Sequence, residues 1–197
     1  MFAAPSGAGK TSLVRALMEK EPTLRFSISY TTRSQRPTEK KGHDYVFVRP
    51  EEFHRLAAAG EFLEYAQVFD NWYATPRRQV EEALSRGEDI ILEIDWQGAQ
   101  QVRKAMPECI TIFILPPSRA ALEARLRQRG TDSDDVIARR LRDAVSDMKH
   151  WPEFDYVVIN EQFEQAVEEL RAIVAGRGEA LRARRPAVER LTGALLA

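Results

Sequence analysis

The chain has 197 residues, 44% hydrophobic and 30% charged, with 29 basic side chains against 30 acidic ones and a formal charge of −1. That profile excludes a disordered chain, and the balanced charge argues against a general nucleic-acid coat, so no specific nucleic acid is expected. With no run of 18 apolar residues, no recognisable secretory layout and a single cysteine, Cys109, beside three scattered histidines, no membrane partner, disulfide or zinc pattern is expected and a cytoplasmic setting is.

Only Met1, Phe2 and Ala3 precede the first recognisable motif. The strand expected there is therefore shorter than the usual ~5 residues, or the natural start lies upstream of Met1, in which case reduced stability is expected. Ala4-Pro5-Ser6-Gly7-Ala8-Gly9-Lys10-Thr11 then follows the phosphate-loop pattern G-x-x-x-x-G-K-[ST], with Ala4 in place of the first glycine. Small residues let backbone N–H groups curl around oxyanions, and the following helix adds its positive end. Lys10 is placed to reach the outer phosphates and the Thr11 hydroxyl to bind Mg²⁺. The bland alternative is a glycine-rich turn capping a helix. Leu13, Val14, Leu17 and Met18 share one face and predict that helix.

Apolar, β-rich runs follow at 26–30, 45–48, 90–94, 110–115 and 156–159. Those at 90, 110 and 156 are nearly continuous, as in strands buried on both faces of a parallel sheet. Helical stripes lie between and after them: Val80 with Leu84, Leu122 with Leu126, Val136-Ile137-Leu141-Ala144-Val145, and Phe163-Val167-Leu170-Val174. The alternation predicts a three-layer α/β fold with a parallel core sheet. The stretch from about 30 to 80 breaks the rhythm and predicts a small lobe. Cys109 is expected to pack at the start of a strand, Trp151-Pro152 to end a helix, and the Leu- and Arg-rich segment after Gly178 to form a terminal surface helix. The arginines near the C-terminus read, in descending order, as a polar face, a self-association surface or a weak nucleic-acid patch, so homo-oligomerisation stays open.

Further signals lie outside the loop. Arg33 and Arg36, three apart and flanked by hydroxyls, can fork a phosphate monoester, although a solvated turn carries the same residues. The segments Thr31-Thr-Arg33-x-x-Arg36, Gly42-x-Asp44-Tyr45, Phe62-Leu-Glu64, Glu93-Ile-Asp95-Trp-Gln-Gly98 and Arg129-Gly130-Thr131 follow the phosphate loop in one order. Together they resemble the guanylate kinase family over the chain to about residue 175.

The resemblance implies a P-loop NTPase fold and transfer of the γ-phosphate of ATP to GMP, with dGMP as a second acceptor and Mg²⁺ as cofactor. It implies a core of residues 1–29, 76–115 and 146–176, a GMP-binding lobe at 30–75, a helical lid at 116–145 and a helical tail at 177–197. Ser29, Arg33, Arg36, Tyr45 and Tyr73 would hold the GMP phosphate, and Glu64, Thr75 and Asp95 would read guanine. Carboxylates only accept hydrogen bonds, and guanine offers N1–H and a 2-amino group where adenine does not. Residues 4–11 and Asn160 would bind ATP, with Lys10, Arg33, Arg129 and Arg140 catalytic. Of the seven arginines from Arg119 to Arg142, most read individually as the solvated face of a helix-turn-helix.

Three departures from the family pattern are visible. Ala4 is tolerable unless its φ must be positive. Glu93 stands where Asp is commoner, which puts its ordering of a metal-bound water in doubt. Ala74 replaces a glycine, so either its φ is ordinary or the GMP site is weakened. Two rivals stand beside the kinase reading: a guanylate-kinase-like module that binds a phosphopeptide without turnover, and a kinase for another phosphorylated ribose compound. The intact loop from Ser6 to Thr11 argues against the first.

Overall fold

The computed structural model describes residues 1–128 and 133–197. In chain order its elements begin β1 (Phe2–Ala3), α1 (Lys10–Lys20), β2 (Arg25–Phe26), β3 (Tyr30–Thr31), β4 (Val46–Phe47), α2 (Pro50–Ala58), β5 (Phe62–Val68) and β6 (Asn71–Pro76). They continue α3 (Arg77–Ser85), β7 (Ile90–Ile91), α4 (Trp96–Ala105), β8 (Ile112–Leu115), α5 (Arg119–Gln128), α6 (Asp134–Met148), β9 (Tyr156–Ile159), α7 (Phe163–Val174) and α8 (Pro186–Leu196). Two compact units divide the chain: residues 2–21 with 110–197, and Met1 with residues 22–109.

The first unit is built on an all-parallel sheet ordered β1-β8-β9. Phe2 pairs with Ile112, and β9 pairs with β8 along its length. Every residue of β8 is buried, which is why its sequence is unbroken Ile-Phe-Ile-Leu with no polar alternation. Helix α1 buries Leu13, Val14 and Leu17, spaced for one face of a 3.6-residue helix, and packs against α7. Ser133 caps α6 by accepting the Val136 N–H, and Asp134 and Asp135 place negative charge in its first turn. Helix α6 ends at Met148, shortly before Trp151-Pro152 as expected, and Trp151–Glu153 form a 3₁₀ turn.

The second unit holds a parallel pair β2-β7 and a four-stranded mixed sheet ordered β4-β3-β6-β5. In the latter, β3 runs parallel to β4 and antiparallel to β6, and β5 and β6 form a hairpin. Its small core is Phe53 of α2 with Phe62 and Ala74, flanked by Tyr30 and Trp72. The register shifts between Phe62 and Glu64, so that Phe62, Leu63 and Glu64 are all buried instead of alternating.

Several sequence expectations need correction. The run at 26–30 is not one strand: Phe26 ends β2 and Tyr30 begins β3, in different sheets, with Ser27 and Ser29 buried between. The run at 90–94 pairs with β2 as β7 over Ile90–Ile91, with a separate bridge at Glu93. Leu84 is 44% exposed; Val80 and Ala83 form the buried face of α3 instead. Val136 is exposed as well, and Ile137, Ala144 and Met148 carry the buried stripe of α6. Cys109 lies before β8, half-exposed.

Candidate active site

In the first unit the phosphate loop joins β1 to α1. Gly7 and Gly9 have φ of 90° and 95°, a left-handed backbone that strains any side chain with a Cβ. Gly9 is the residue before the helix, and the Gly9 carbonyl accepts the Leu13 N–H at 3.1 Å, so the loop leads directly into α1. No acidic residue occupies the first turn of α1, where Lys10 and Thr11 sit, leaving the helix's positive end available to an anion. Phe69 is the non-glycine with positive φ among the described residues, so Ala4 is not left-handed and its substitution for glycine is conformationally neutral.

The loop is braced by residues far along the chain. Asn160, buried just after β9, donates its side-chain amide to the Ala8 carbonyl at 2.8 Å. Arg125 of α5 donates to the same carbonyl at 3.2 Å and to the Asn160 carbonyl at 2.8 Å. A Cβ on Gly9 would overlap the Asn160 amide, so this glycine serves both its φ and a close approach. Arg140 lies half-buried on α6. Arg129 falls outside the described residues.

In the second unit the predicted phosphate-holding residues gather around Arg33. Its guanidinium donates to Glu39 at 2.6 Å and to the Ser34 carbonyl at 2.7 Å, and lies 5.5 Å from the centre of the Tyr45 ring. Tyr73 meets Tyr45 edge-on at 6.0 Å. The backbone N–H of Arg36 donates to the other Glu39 oxygen at 2.8 Å, while the Arg36 side chain is exposed. Burial works against the charged form of Arg33, but its bonds to Glu39 and Tyr73 outweigh this and hold its pKa above the ordinary value. Burial likewise opposes the Glu39 carboxylate, yet Arg33 and the Arg36 N–H hold its pKa low. Burial pushes the Tyr45 phenol up, reinforced by the charge of Glu93 and by Tyr73, so Tyr45 remains a hydroxyl donor. Ser29 is buried one residue before β3.

The predicted base-reading residues come together about 30 residues apart in sequence. Glu64 is only 4% exposed and accepts the Thr75 hydroxyl at 2.6 Å across the β5–β6 hairpin. Asp95 is the N-cap of α4, its Oδ1 accepting the Gly98 N–H at 2.7 Å and its Oδ2 buried. It does not close a strand, as the run at 90–94 suggests; it opens a helix. A Cβ placed on Gly98 would meet both Glu64 and Asp95, so the two carboxylates face one glycine. Ala74 lies within β6, paired with Tyr30 and Tyr65, with an ordinary φ, which resolves the sequence alternative without a strained site.

Among the described residues no group of three or more His, Cys, Asp or Glu side chains is arranged to hold a metal. The Thr11 hydroxyl, in the first turn of α1, is an oxygen donor of the kind a magnesium ion takes. Among the described residues no helix is long and apolar enough to cross a membrane. The sequence reading passed over Glu39, Arg125 and Gly98. Glu39 carried a signal, an acid three residues beyond Arg36 in one turn. Arg125 and Gly98 carried none beyond helix periodicity and a motif whose glycine had no stated task.

Comparison with known proteins shows the family of the chain. The profile of the family described as Guanylate kinase matches residues 1–176. A guanylate kinase of Methylococcus capsulatus is 53% identical over 100% of this chain and 96% of its own length. One from Hydrogenovibrio crunogenus is 55% identical over 91% of this chain and 88% of its own. The crystal structure of guanylate kinase from Anaplasma phagocytophilum superposes with a TM-score of 0.74 at 34% identity, covering 96% of this chain and 90% of that one.

Proposed function

The chain belongs to the guanylate kinase family, P-loop α/β enzymes that phosphorylate GMP with ATP, and from that premise we propose how its own residues share the transfer that yields ADP and GDP. The observation that carries the assignment to GMP is the buried Glu64–Thr75 pair with Asp95 beside it. Two acceptor-only carboxylates in one buried site match the N1–H and 2-amino hydrogens of guanine. Adenine would leave them unpaired, and a site built on hydrogen bonds rejects such a ligand by ~10⁴-fold.

The loop from Ala4 to Thr11 binds the triphosphate of ATP through backbone N–H groups, and Lys10 neutralises charge on its outer phosphates. Asn160 belongs to this donor half. Arg33 and Arg36 take the phosphate of GMP, with Tyr45 and Tyr73 as directional hydroxyl donors and Ser29 nearby. A GMP phosphate oxygen bonds to the γ-phosphorus as the bond to the β–γ bridging oxygen breaks, and ADP leaves. That oxygen is already anionic, so positioning and charge neutralisation suffice without a strong base. Arg140, with Arg129 by its motif, stabilises charge on the transferring group from the helical lid of residues 116–145. The Thr11 hydroxyl would help to hold a Mg²⁺, which would supply further charge neutralisation when bound. dGMP is accepted, because no proposed contact involves the ribose 2′-hydroxyl, and the enzyme works in the cytoplasm.

The test is ADP release, by a coupled assay with Mg-ATP, across GMP, dGMP, AMP, UMP and CMP. Turnover with GMP and dGMP alone is expected. Equal use of AMP sinks the guanine assignment, and ATP binding without any acceptor-dependent turnover favours the phosphopeptide-binding alternative.

A further inference from the structure

We infer that Gly98 is a specificity-determining residue: its missing side chain is what lets Glu64 and Asp95 converge as a pair. The inference rests on the reading of those two carboxylates as the guanine contacts. Gly98 lies in the first turn of α4 and its φ is not in the left-handed range, so its backbone gives no reason for glycine there. A glycine inside a helix is ordinarily destabilising relative to alanine. The reason is contact. An ideal Cβ on Gly98 would overlap Oε2 of Glu64, stand 2.9 Å from its Cδ and lie 3.4 Å from Oδ1 of Asp95.

Glu64 has little room to yield. Its side chain is buried, and its other oxygen is tied to the Thr75 hydroxyl at 2.6 Å. Its backbone is set by the register shift in β5, and the neighbouring Tyr65 is pinned by Gln101 of α4. The Tyr65 backbone N–H donates to the Gln101 side-chain Oε1 at 3.2 Å, and the Gln101 side-chain Nε2 donates to the Tyr65 backbone carbonyl at 2.8 Å. The same α4 residues that draw β5 close leave no space for a methyl group at 98. Gly98 acts a second time through its own N–H, which orients Asp95. One residue therefore sets both carboxylates, and any side chain there displaces Glu64 from Thr75 before it affects anything in the phosphate loop.

The experiment is Gly98→Ala in the full chain, with steady-state kinetics for GMP and for ATP and thermal melting. A rise in KM for GMP on the order of tenfold or more is expected, with KM for ATP unchanged and a melting temperature below that of the parent. A KM for GMP equal to the parent's overturns the inference. The double variant Gly98→Ala/Glu64→Ala decides whether the lost stability comes from the collision. Recovery of stability on removing the Glu64 side chain supports the collision, and a double variant as unstable as the single one overturns it. Failure of the parent enzyme to use GMP at all strikes the functional reading, whereas parent turnover with an unaffected Gly98→Ala strikes only this inference.

Discussion

The two units differ in what they could offer a phosphate. Around the loop from Ala4 to Lys10 the groups on offer are backbone N–H atoms, and the side chains Asn160 and Arg125 act on the Ala8 carbonyl. Around Arg33 the groups on offer are side chains: a guanidinium set by Glu39, and two phenols in contact. A cradle of backbone recognises a polyphosphate and nothing about the base attached to it. A site of side chains can be tuned, and the proposed function uses Glu64 and Asp95 of the same unit to choose the base. On that proposal, generality resides in the unit made of main chain and selectivity in the unit made of side chains.

Four changes test that contrast, from the most damaging to the least. Lys10→Ala removes the one side-chain charge of the backbone cradle, and kcat should fall on the order of 10³-fold with every acceptor the parent uses. A loss confined to GMP breaks the division between the units. Glu64→Gln puts a donor where guanine also donates. It should lower kcat/KM for GMP by about 10²-fold while leaving KM for ATP as it was. Loss of ATP affinity in that variant contradicts the assignment.

Glu39→Gln is milder. It leaves Arg33 in place with a weaker anchor, and KM for GMP should rise about tenfold, equivalent to roughly 1.4 kcal/mol, with kcat little changed. The same variant has a pH signature. Because the Glu39 carboxyl is held below its ordinary value, its stabilisation is complete above the unfolded pKa of about 4.3 and is lost as pH falls through the lower folded value. The melting-temperature gap between parent and Glu39→Gln should therefore be constant at neutral pH and close under acid conditions below about pH 4. A gap that widens on acidification contradicts the ion-pair account. Ala74→Gly is the smallest. In a strand with ordinary φ it should cost about 0.5–1 kcal/mol of stability and leave KM for GMP unchanged; a large fall in KM would mean that the alanine strains the site after all.

Much of the protein was legible in its residues. The run at 110–115 reads as a strand covered on both faces, and its last four residues, Ile112–Leu115, form that strand while Ile110 is exposed; β9 matches its predicted span from Tyr156 to Ile159. The phosphate loop was legible because its requirement is local: two left-handed positions and a helix start need glycines at fixed spacing. Less legible was everything set by pairing partners. The run at 26–30 looks continuous, yet its two ends pair with β7 and with β4 and β6, and the bend between them is invisible to periodicity. Leu84 fell on the apolar stripe of a helical wheel, but the face of α3 that packs is centred on Val80 and Ala83.

Taken alone, the residue order determined the family and the location of the phosphate loop, and it singled out the side chains proposed to meet GMP, because these readings depend on short motifs whose chemistry is contained within a few residues. Tertiary structure decided what those motifs could not contain. It set the turn of Glu64 inward by a register shift in β5, the capping role of Asp95, the hold of Glu39 on Arg33, and the need for Gly98 to lack a side chain. Each of these is a contact between groups brought together by folding, and its geometry depends on strand register and helix placement, which no single segment encodes.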